Sequence, residues 1–489
     1  MFEFIANSIA KRFSKKVSKR SYDGAKSGRL IDFFAGTRSA DDEIRFDIRK
    51  LRDRCREMIR NDPYSKRYVA IMKTNIVGEK GILLQPNALE DDGRSDEAAN
   101  NLILQAWHKW AKKGFCTIDE RLSFVDCQDL LIEQLSSEGE ALIQLVTTNK
   151  NPFGFALKFL DTDQLDEELN KNLENGKRIK MGVELDKNDK PLAYWLFEEN
   201  PNENFMLSRA ARMHRRVPAD QILHIYRQTR PGQTRGVPPL AAALLRVRQL
   251  NGYIDAELTA ARIGASKMGF FTSSKGEDYQ GEDKEDVYNP IMNAEPGTFE
   301  QLPEGMAFQT FDPQHPTSQF QDFVKQILRS FASSLNISYA TLSNDLESVN
   351  YSSIRQGALE ERFYFKKEQN FLIEHFLQPV FERWLLMAMT TGALNLPMRK
   401  FEKFANPKWM PRGFGYIDPL KETQSYSVAL NNGTMTLNDI ASIHGRDVKS
   451  LLEQIKKEKE LAQSLGIDLA FEPFGAKGAL QKSEDTEDE

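Results

Sequence analysis

The chain has 489 residues and a formal net charge of −5, and its residues are 40% hydrophobic and 28% charged. This composition is typical of a globular protein, and the length allows two to four domains around a sizeable core. The small net charge excludes a uniformly basic surface, so any contact with nucleic acid must be local. No run of about 18 or more apolar residues occurs, so we expect no transmembrane helix.

The cysteines and the charge distribution set two further limits. Cys55, Cys116 and Cys127 form no CxxC pair, so we expect three structural thiols in a reducing compartment. Residues 1–60 carry sixteen Lys and Arg against nine Asp and Glu, whereas residues 275–304 carry two Lys against nine acids. A basic head and an acidic insertion indicate different partners for different surfaces.

The first half of the chain predicts an α+β fold. Apolar residues recur at helical spacing over 42–76, with a break at Pro63, and again over 94–114 and 123–138. One side of the helix predicted over 94–114 carries Leu102, Gln105, Ala106 and Trp110. Alternating or β-rich segments predict strands at 81–84, 140–146, 155–160, 181–185, 192–197 and 222–226.

Long helices dominate the second half. The segment 230–244, RPGQTRGVPPLAAAL, joins the last strand to a helix that we predict as one continuous element over 238–265, since proline is tolerated in a first helical turn. Apolar spacing predicts further helices at 319–335, at 353–391 with a kink at Pro379 and a cap at Gly392, and at 436–464. A polar run over 340–353 separates the first two of these helices.

The usual signatures of catalysis are missing from the sequence. No GxxxxGK[ST], GxSxG, HExxH or paired CxxC motif occurs, and the six histidines are dispersed. We therefore predict no enzyme activity, no metal site and no cofactor. A nuclease whose carboxylates come together only in the fold stays open as an alternative, and an assay with Mg²⁺ would test it.

Five sequence blocks, in this order, resemble the lambda family of phage portal proteins, the rings through which DNA enters and leaves a tailed-phage head. Each block alone is a weak signal, but their joint occurrence is specific. The blocks are NDPYSKRYVAIMKTNIVGEKGILLQP (61–86), GVELDKNDKPLAYW (182–195), RPGQTRGVPPLAAAL (230–244), AEPGTFEQLPEG (294–305) and NYSSIRQGALEERF (350–363).

The resemblance implies an α+β portal fold with a wing, a two-helix stem, a clip and a helical crown, assembled as a dodecameric ring. It divides the chain into consecutive regions: a basic N-terminal arm (1–40), the α+β wing (41–235), the first stem helix (236–265), the clip (266–316), the second stem helix (317–339), a channel loop (340–353), a long kinked wing helix (354–392), the crown region (393–470) and a disordered acidic tail (471–489).

The resemblance also implies the function of a structural portal protein. Such a ring occupies one capsid vertex, and double-stranded DNA is packaged and ejected through it. Its expected partners are the DNA backbone, eleven further copies of the chain, the large terminase subunit, the head–tail adaptor, and the major capsid and scaffold proteins, but no membrane. Its expected location is the virion, and the host cytoplasm during assembly. The alternative class is a DNA-binding module that uses the basic N-terminal arm without forming a ring.

Three sets of candidate site residues follow from the resemblance and from charge. The channel loop presents small polar and acidic side chains that can touch DNA without gripping it: Ser343, Asn344, Asp345, Glu347, Ser348 and Asn350. Candidate basic residues of the channel, which could instead pair with Asp255 and Glu257, are Arg246, Arg248, Arg262 and Lys267. Acids of the clip that could steer basic partners are Glu277, Asp278, Glu282, Asp283, Glu285 and Asp286.

Overall fold

The computed structural model describes residues 36–203, 213–265, 269–273, 306–310, 319–347, 351–415 and 418–467. Most of the predicted arm and clip, and all of the predicted acidic tail, lie outside these residues. The described α-helices are α1 (Ala40–Ile44), α2 (Ile48–Asn61), α3 (Pro63–Ile76), α4 (Glu97–Trp110), α5 (Phe124–Ser137), α6 (Leu244–Ala265), α7 (Phe320–Ser334), α8 (Tyr339–Ser343), α9 (Tyr351–Leu372), α10 (Gln378–Thr390), α11 (Phe401–Phe404), α12 (Pro419–Asn431), α13 (Leu437–Ile443) and α14 (Val448–Ser464).

The described strands form small antiparallel sheets. They are β1 (Leu83–Gln85), β2 (Glu140–Thr147), β3 (Phe155–Leu160), β4 (Lys171–Asn172), β5 (Arg178–Lys180), β6 (Val183–Leu185), β7 (Pro191–Phe197), β8 (His214–Pro218), β9 (Ile222–Tyr226), β10 (Gly269–Ser273), β11 (Met306–Thr310) and β12 (Lys408–Met410). Their orders are β3-β2-β9, β4-β5-β6-β7-β8, β10-β11 and β1-β12. The mixed architecture confirms the α+β prediction, although β4, β5, β8 and β12 were not predicted.

Local sequence signals explain where the first helices begin and end. Pro63 separates α2 from α3, as predicted, and occupies the first turn of α3, where its missing N–H group costs nothing. The Asp62 carboxylate accepts a hydrogen bond of 2.6 Å from the Ser65 backbone N–H. Ser123 and Asp126 form a reciprocal capping box at the start of α5.

An aromatic cluster at the centre of the main core joins the two halves of the sequence. Trp107 of α4 lies edge-on to Trp384 of α10, with ring centroids 5.0 Å apart, and also contacts Phe124 at 5.0 Å. The buried side of α4 is centred on Ile103, Trp107 and Trp110, whereas Leu102 is 48% exposed. Trp107 and Trp110 can both be buried only when α4 is turned so that Leu102 faces outward.

Two predicted continuous helices are interrupted. The helix predicted over 238–265 begins with a 3₁₀ turn, Pro239–Ala242, and α6 starts only at Leu244. Pro238 stays extended, with a ψ of 132°, because the residue before a proline is disfavoured in the helical region. The segment predicted helical over 436–464 divides into α13 and α14 because Gly445 takes a positive φ of 67° between them.

The long helix near residue 353 and the polar run before it also differ from expectation. A π-helical turn, Ile373–Leu377, lies between α9 and α10 immediately before Pro379, in agreement with the predicted disturbance at that proline. The polar run predicted as a loop over 340–353 is shorter than expected. Its first residues belong to α8 and its last to α9, so that residues 344–347 are the described loop.

Candidate functional site

The paired helices α6 and α7 carry apolar side chains that the described chain leaves uncovered. Near the core, Val247 and Leu250 of α6 are buried, as are Leu328 and Phe331 of α7. Farther along, the Tyr253 ring contacts the rings of Phe320 and Phe323, with centroids 5.6 and 5.2 Å apart. Exposed apolar side chains on this pair are Leu245 (71%), Leu258 (51%) and Phe323 (51%).

A buried ion pair fixes the path of the chain into α6. Arg235, which ends the turn before this helix, is fully buried and donates from Nη2 to Glu140 Oε1 at 2.6 Å. Its Nη1 donates to the backbone carbonyls of Leu165 at 3.2 Å and Met181 at 3.1 Å. The Gly236 N–H donates to Glu140 Oε2 at 2.8 Å. The segment before α6 is thus bonded to strand β2 and to the loops that contain Leu165 and Met181.

Two arginines of α2 extend the same network. Buried Arg52 donates from Nη1 to Asp163 at 2.7 Å and from Nη2 to Glu167 at 3.2 Å. Arg56, one helical turn farther on, contacts Asp163 at 2.6 Å and Glu138 at 3.0 Å. Helix α2 is therefore joined by ion pairs to the end of α5 and to the segment after β3, and Arg52 also lies 3.6 Å from Glu140.

The charges of this network set its protonation. Burial disfavours the Glu140 carboxylate, but Arg235 and the hydrogen bond from His224 outweigh burial and hold the pKa of Glu140 well below its usual value. Burial lowers the pKa of His224 despite the adjacent carboxylate. His224 is therefore neutral near pH 7 and donates from Nε2 to Glu140 Oε2 over 3.0 Å. The ionised Glu140 carboxylate thus compensates the charge of Arg235 and accepts a hydrogen bond from the neutral His224 ring.

Sequence reasoning selected the segment 230–244 for its turn and helix start but missed the role of its polar side chains. Thr234 donates from both its backbone N–H (2.8 Å) and its hydroxyl (2.5 Å) to Asp41 of α1. The Gln233 amide accepts from the Thr229 N–H at 2.9 Å and closes the turn. The only available signal was a run of polar residues between two apolar elements, and that pattern is also typical of an exposed loop.

The residues of the candidate channel loop differ in how far they are committed to intramolecular contacts. Asp345 accepts a 2.9 Å hydrogen bond from the Tyr339 hydroxyl and lies 3.3 Å from Lys325 Nζ. The bond from Tyr339 is the main reason that the pKa of Asp345 is lowered. Asn344 caps α8 with a left-handed backbone at φ 57°, and the Ser343 hydroxyl donates to the Tyr339 carbonyl at 2.7 Å. Leu346 and Glu347 are exposed.

The other candidate residues are dispersed or lie outside the described residues. Arg246 of α6 donates to the Ser330 hydroxyl of α7, and Arg248 lies 3.9 Å from Glu57 of α2. Arg262 is exposed near the end of α6. The remaining candidates lie outside the described residues, namely Lys267, Ser348, Asn350, Glu277, Asp278, Glu282, Asp283, Glu285 and Asp286.

The described residues show neither a metal-binding cluster nor a membrane-spanning helix, and their three cysteines are thiols. Among them, no group of three or more His, Cys, Asp or Glu side chains is arranged to hold a metal ion. No helix of the described part is long and apolar enough to cross a membrane. Cys55, Cys116 and Cys127 are free and buried, in agreement with the prediction of structural thiols.

Comparison with known proteins identifies the chain. The family model described as "Phage portal protein, lambda family" matches residues 26–369. A probable portal protein of Halomonas phage phiHAP-1 is 34% identical over 481 residues, with 96% of this chain and 92% of that protein covered. The portal protein of Escherichia phage N15 is 21% identical, with 93% of each chain covered. Portal protein B of Escherichia phage lambda is 20% identical, with 85% of this chain and 84% of that protein covered.

Solved structures give weaker likenesses. A chain in the neck of a native GTA particle, computed with C12 symmetry, is 13% identical at a TM-score of 0.45, covering 80% of this chain and 91% of that one. The family model and the relatives define a phage portal protein, a structural part of the head–tail connector. Within that class, the chain belongs to the lambda family of phage portal proteins.

Proposed function

We propose that this protein assembles into a ring at one capsid vertex, as a dodecamer, through which double-stranded DNA is packaged and ejected. The observation that carries the proposal is the uncovered apolar surface of α6 and α7. A monomeric protein gains nothing from long helices that expose Leu245, Leu258 and Phe323, whereas copies packed around an axis would bury them. Membership of the portal family supplies the function of such a ring.

In this proposal each region of the chain has one role. Residues 41–235 form the wing, α6 and α7 form the stem, and residues 266–316 form the clip that faces out of the head. Residues 393–470 form the crown toward the capsid interior. The hydrogen bonds of Arg235 and Gly236 with Glu140 lie at the proposed boundary, and they would fix the stem to the wing there. The basic N-terminal arm remains a separate segment.

The proposed partners follow from charge and position. The acids of the clip, repeated around a ring, would form a negative collar that steers basic surfaces of the terminase large subunit and later of the head–tail adaptor. The major capsid and scaffold proteins would contact the wing and crown while the procapsid forms in the host cytoplasm. Contacts with DNA would involve its backbone and carry no sequence information.

We assign the DNA contact to the loop 344–347. Its Asp345 is committed to Tyr339 and Lys325, whereas Asn344, Leu346 and Glu347 are exposed. An acidic, weakly polar loop suits a conduit, because each neutralised phosphate adds affinity and would slow the passage of the duplex.

The test replaces Leu346 and Glu347 together by lysine in assembled heads. We expect heads to form normally, since neither side chain is buried. Packaging or ejection should slow several-fold at low salt, and added salt should partly restore the rate by screening the new charges. A matched control is the double lysine substitution at Leu452 and Glu453, an exposed Leu-Glu pair on α14. Packaging and ejection at the wild-type rate in low salt would contradict the assignment.

A further inference from the structure

A groove with an apolar floor and a basic rim lies between α9 and the C-terminal helices. Its volume is about 260 Å³, and it is lined by Arg355, Leu359, Arg362, Phe363, Lys366, Phe414, Glu422, Tyr426 and Ile443. Ligand pockets usually measure about 300–1,000 Å³. The groove therefore suits one or two anchoring side chains of a peptide better than a folded partner.

The walls of the groove are built by specific contacts. Arg362 donates from Nη2 to the Gly415 carbonyl at 2.8 Å, and its guanidinium lies 5.6 Å from the Phe414 ring centroid. Phe414 in turn stacks on buried Phe365 with centroids 6.3 Å apart. The floor is thus fixed in place, so that a ligand would meet a preformed surface.

The rim offers charge and an exposed aromatic ring. Arg355, Arg362 and Lys366 face one carboxylate, Glu422, among the lining residues. Arg355 lies near the Asp418 carboxylate, and Lys366 is exposed. Phe363 is 70% exposed. The groove therefore matches an occupant that carries both aromatic and acidic side chains.

We propose that the C-terminal tail of this chain, residues 468–489, docks in this groove. The tail has the sequence DLAFEPFGAKGALQKSEDTEDE. It contains two aromatic residues around one acid, Phe471, Glu472 and Phe474, and five acids among its last six residues. The aromatic pair fits the apolar floor, and the acidic end complements the basic rim.

The position of the tail in the chain supports the same occupant. The tail follows α14, which packs on α13, and α13 supplies Ile443 to the groove wall. From Ile467 to Phe471 the chain can span at most about 14 Å, and from Ile467 to Glu489 at most about 75 Å. A tethered segment of this length has a high effective concentration near the groove, so that even weak contacts suffice for docking.

The experiment measures binding of a fluorescent peptide of residues 468–489 to a chain that ends at Ile467. The peptide should bind the truncated chain, and it should bind the full-length chain at least about tenfold more weakly, because the attached tail already occupies the groove. Replacing Phe471 and Phe474 by alanine in the peptide should abolish binding. Neutralising its last acids should weaken binding and remove most of its salt dependence.

Substitutions in the truncated chain locate the site. Arg355→Glu with Lys366→Glu should weaken binding about fivefold or more, since each exposed ion pair contributes up to about 1 kcal/mol. Lys367→Glu is the matched control, because Lys367 is exposed on the same helix but does not line the groove. Phe363→Ala is a second variant that removes the exposed aromatic ring of the rim; it should weaken binding, and its thermal unfolding should match that of the parent.

Three results would overturn the proposal. The first is equal peptide affinity of the full-length and truncated chains. The second is an equal effect of Lys367→Glu and the rim double substitution, which would indicate general charge attraction. The third is displacement of the peptide by a short DNA duplex together with no effect of the phenylalanine substitutions, which would identify the groove as a phosphate site.

Discussion

At the scale of single residues, Glu140 has the most demanding position in the chain. Its carboxylate is fully buried and receives bonds from Arg235, His224 and the Gly236 N–H. A buried charge is tolerated only when its partners satisfy it, and the removal of one partner costs more than the pair contributes. Glu140 therefore controls both the folding of the sheet and the path into α6.

Glu140→Gln should destabilise the protein by about 3–5 kcal/mol, because it leaves the Arg235 guanidinium buried without a counter-charge. Urea unfolding followed by tryptophan fluorescence measures the change. Glu97→Gln is the control, since Glu97 pairs with Lys449 at an exposed position, where an ion pair contributes less than about 1 kcal/mol. Equal effects of the two substitutions would refute the importance of the buried pair.

The pH dependence of stability follows from His224 and its neighbours. The pKa of His224 is lowered from 6.5 by burial, so the unfolded chain binds a proton more readily than the folded chain. Stability should therefore fall as the pH drops below about 6.5, and fall further below about 4.5 as Glu140 and Asp163, whose pKa values are lowered, become protonated. The raised pKa of Glu138, which burial causes, acts above about 4.5, where it opposes the first decline.

His224→Gln isolates the histidine contribution. The glutamine side chain can still donate to Glu140 but carries no titrating group. We expect the urea midpoint of this variant to change less between pH 7 and about 5.5 than that of the parent chain. Parallel pH profiles of the two proteins would show that His224 titrates alike in the folded and unfolded states.

At the scale of elements, the backbone at the start of β2 packs closely against the backbone of the segment before α6. A Cβ atom on Gly236 would lie 2.2 Å from the Gly139 carbonyl oxygen and 2.7 Å from the Glu140 Cβ. A Cβ on Gly139 would lie 2.1 Å from the Val237 carbonyl carbon, and Gly139 also has a φ of +80°. Only two glycines permit this approach, which brings the Gly236 N–H to Glu140.

Gly236→Ala should destabilise the protein by about 1–3 kcal/mol or more, because backbone atoms must move to admit the methyl group. Gly252→Ala is the matched control within α6, where a Cβ would meet nothing within 4 Å. That substitution should stabilise the helix by about 0.5–1 kcal/mol. Thermal unfolding of both variants measures the difference, and opposite signs are the expected result.

The sequence predicted elements better than it predicted contacts. Apolar spacing located α2, α3, α5 and α10, because one buried face repeats every three or four residues. The same spacing could not detect the 3₁₀ turn at Pro239–Ala242 or the rotation of α4 that buries Trp107. These features depend on partners distant in sequence.

The sequence predicted where the candidate loop lies but not which contacts its residues make. The polar run near Asn344 was found, but its division between α8, a short loop and α9 was not, because polar residues also form helices when their ends are capped. The Arg235–Glu140 pair joins residues 95 positions apart. No local pattern reveals such a pair, since isolated charges in a sequence are usually exposed.

At the scale of the whole molecule, the described fold buries some of its apolar surfaces within one chain and leaves others exposed. The core around Trp107 and Trp384 is closed, whereas α6 and α7 expose Leu245, Leu258 and Phe323. Obligate interfaces commonly bury more than about 2,000 Å², and two extended helices per subunit offer surface on that scale. We therefore expect above all that the protein assembles with itself through α6 and α7.

Particle mass and shape of the purified full-length chain test this claim most directly, by native mass spectrometry and negative-stain imaging. We expect closed rings with a central channel, built as a dodecamer of the 55.9 kDa subunit. Leu258→Glu should yield folded single subunits, because Leu258 is 51% exposed within one chain and would be buried between copies. Leu102→Glu, at 48% exposure on α4, should leave the rings intact. A monomeric wild-type chain at high concentration, or equal disruption by both substitutions, would contradict the account.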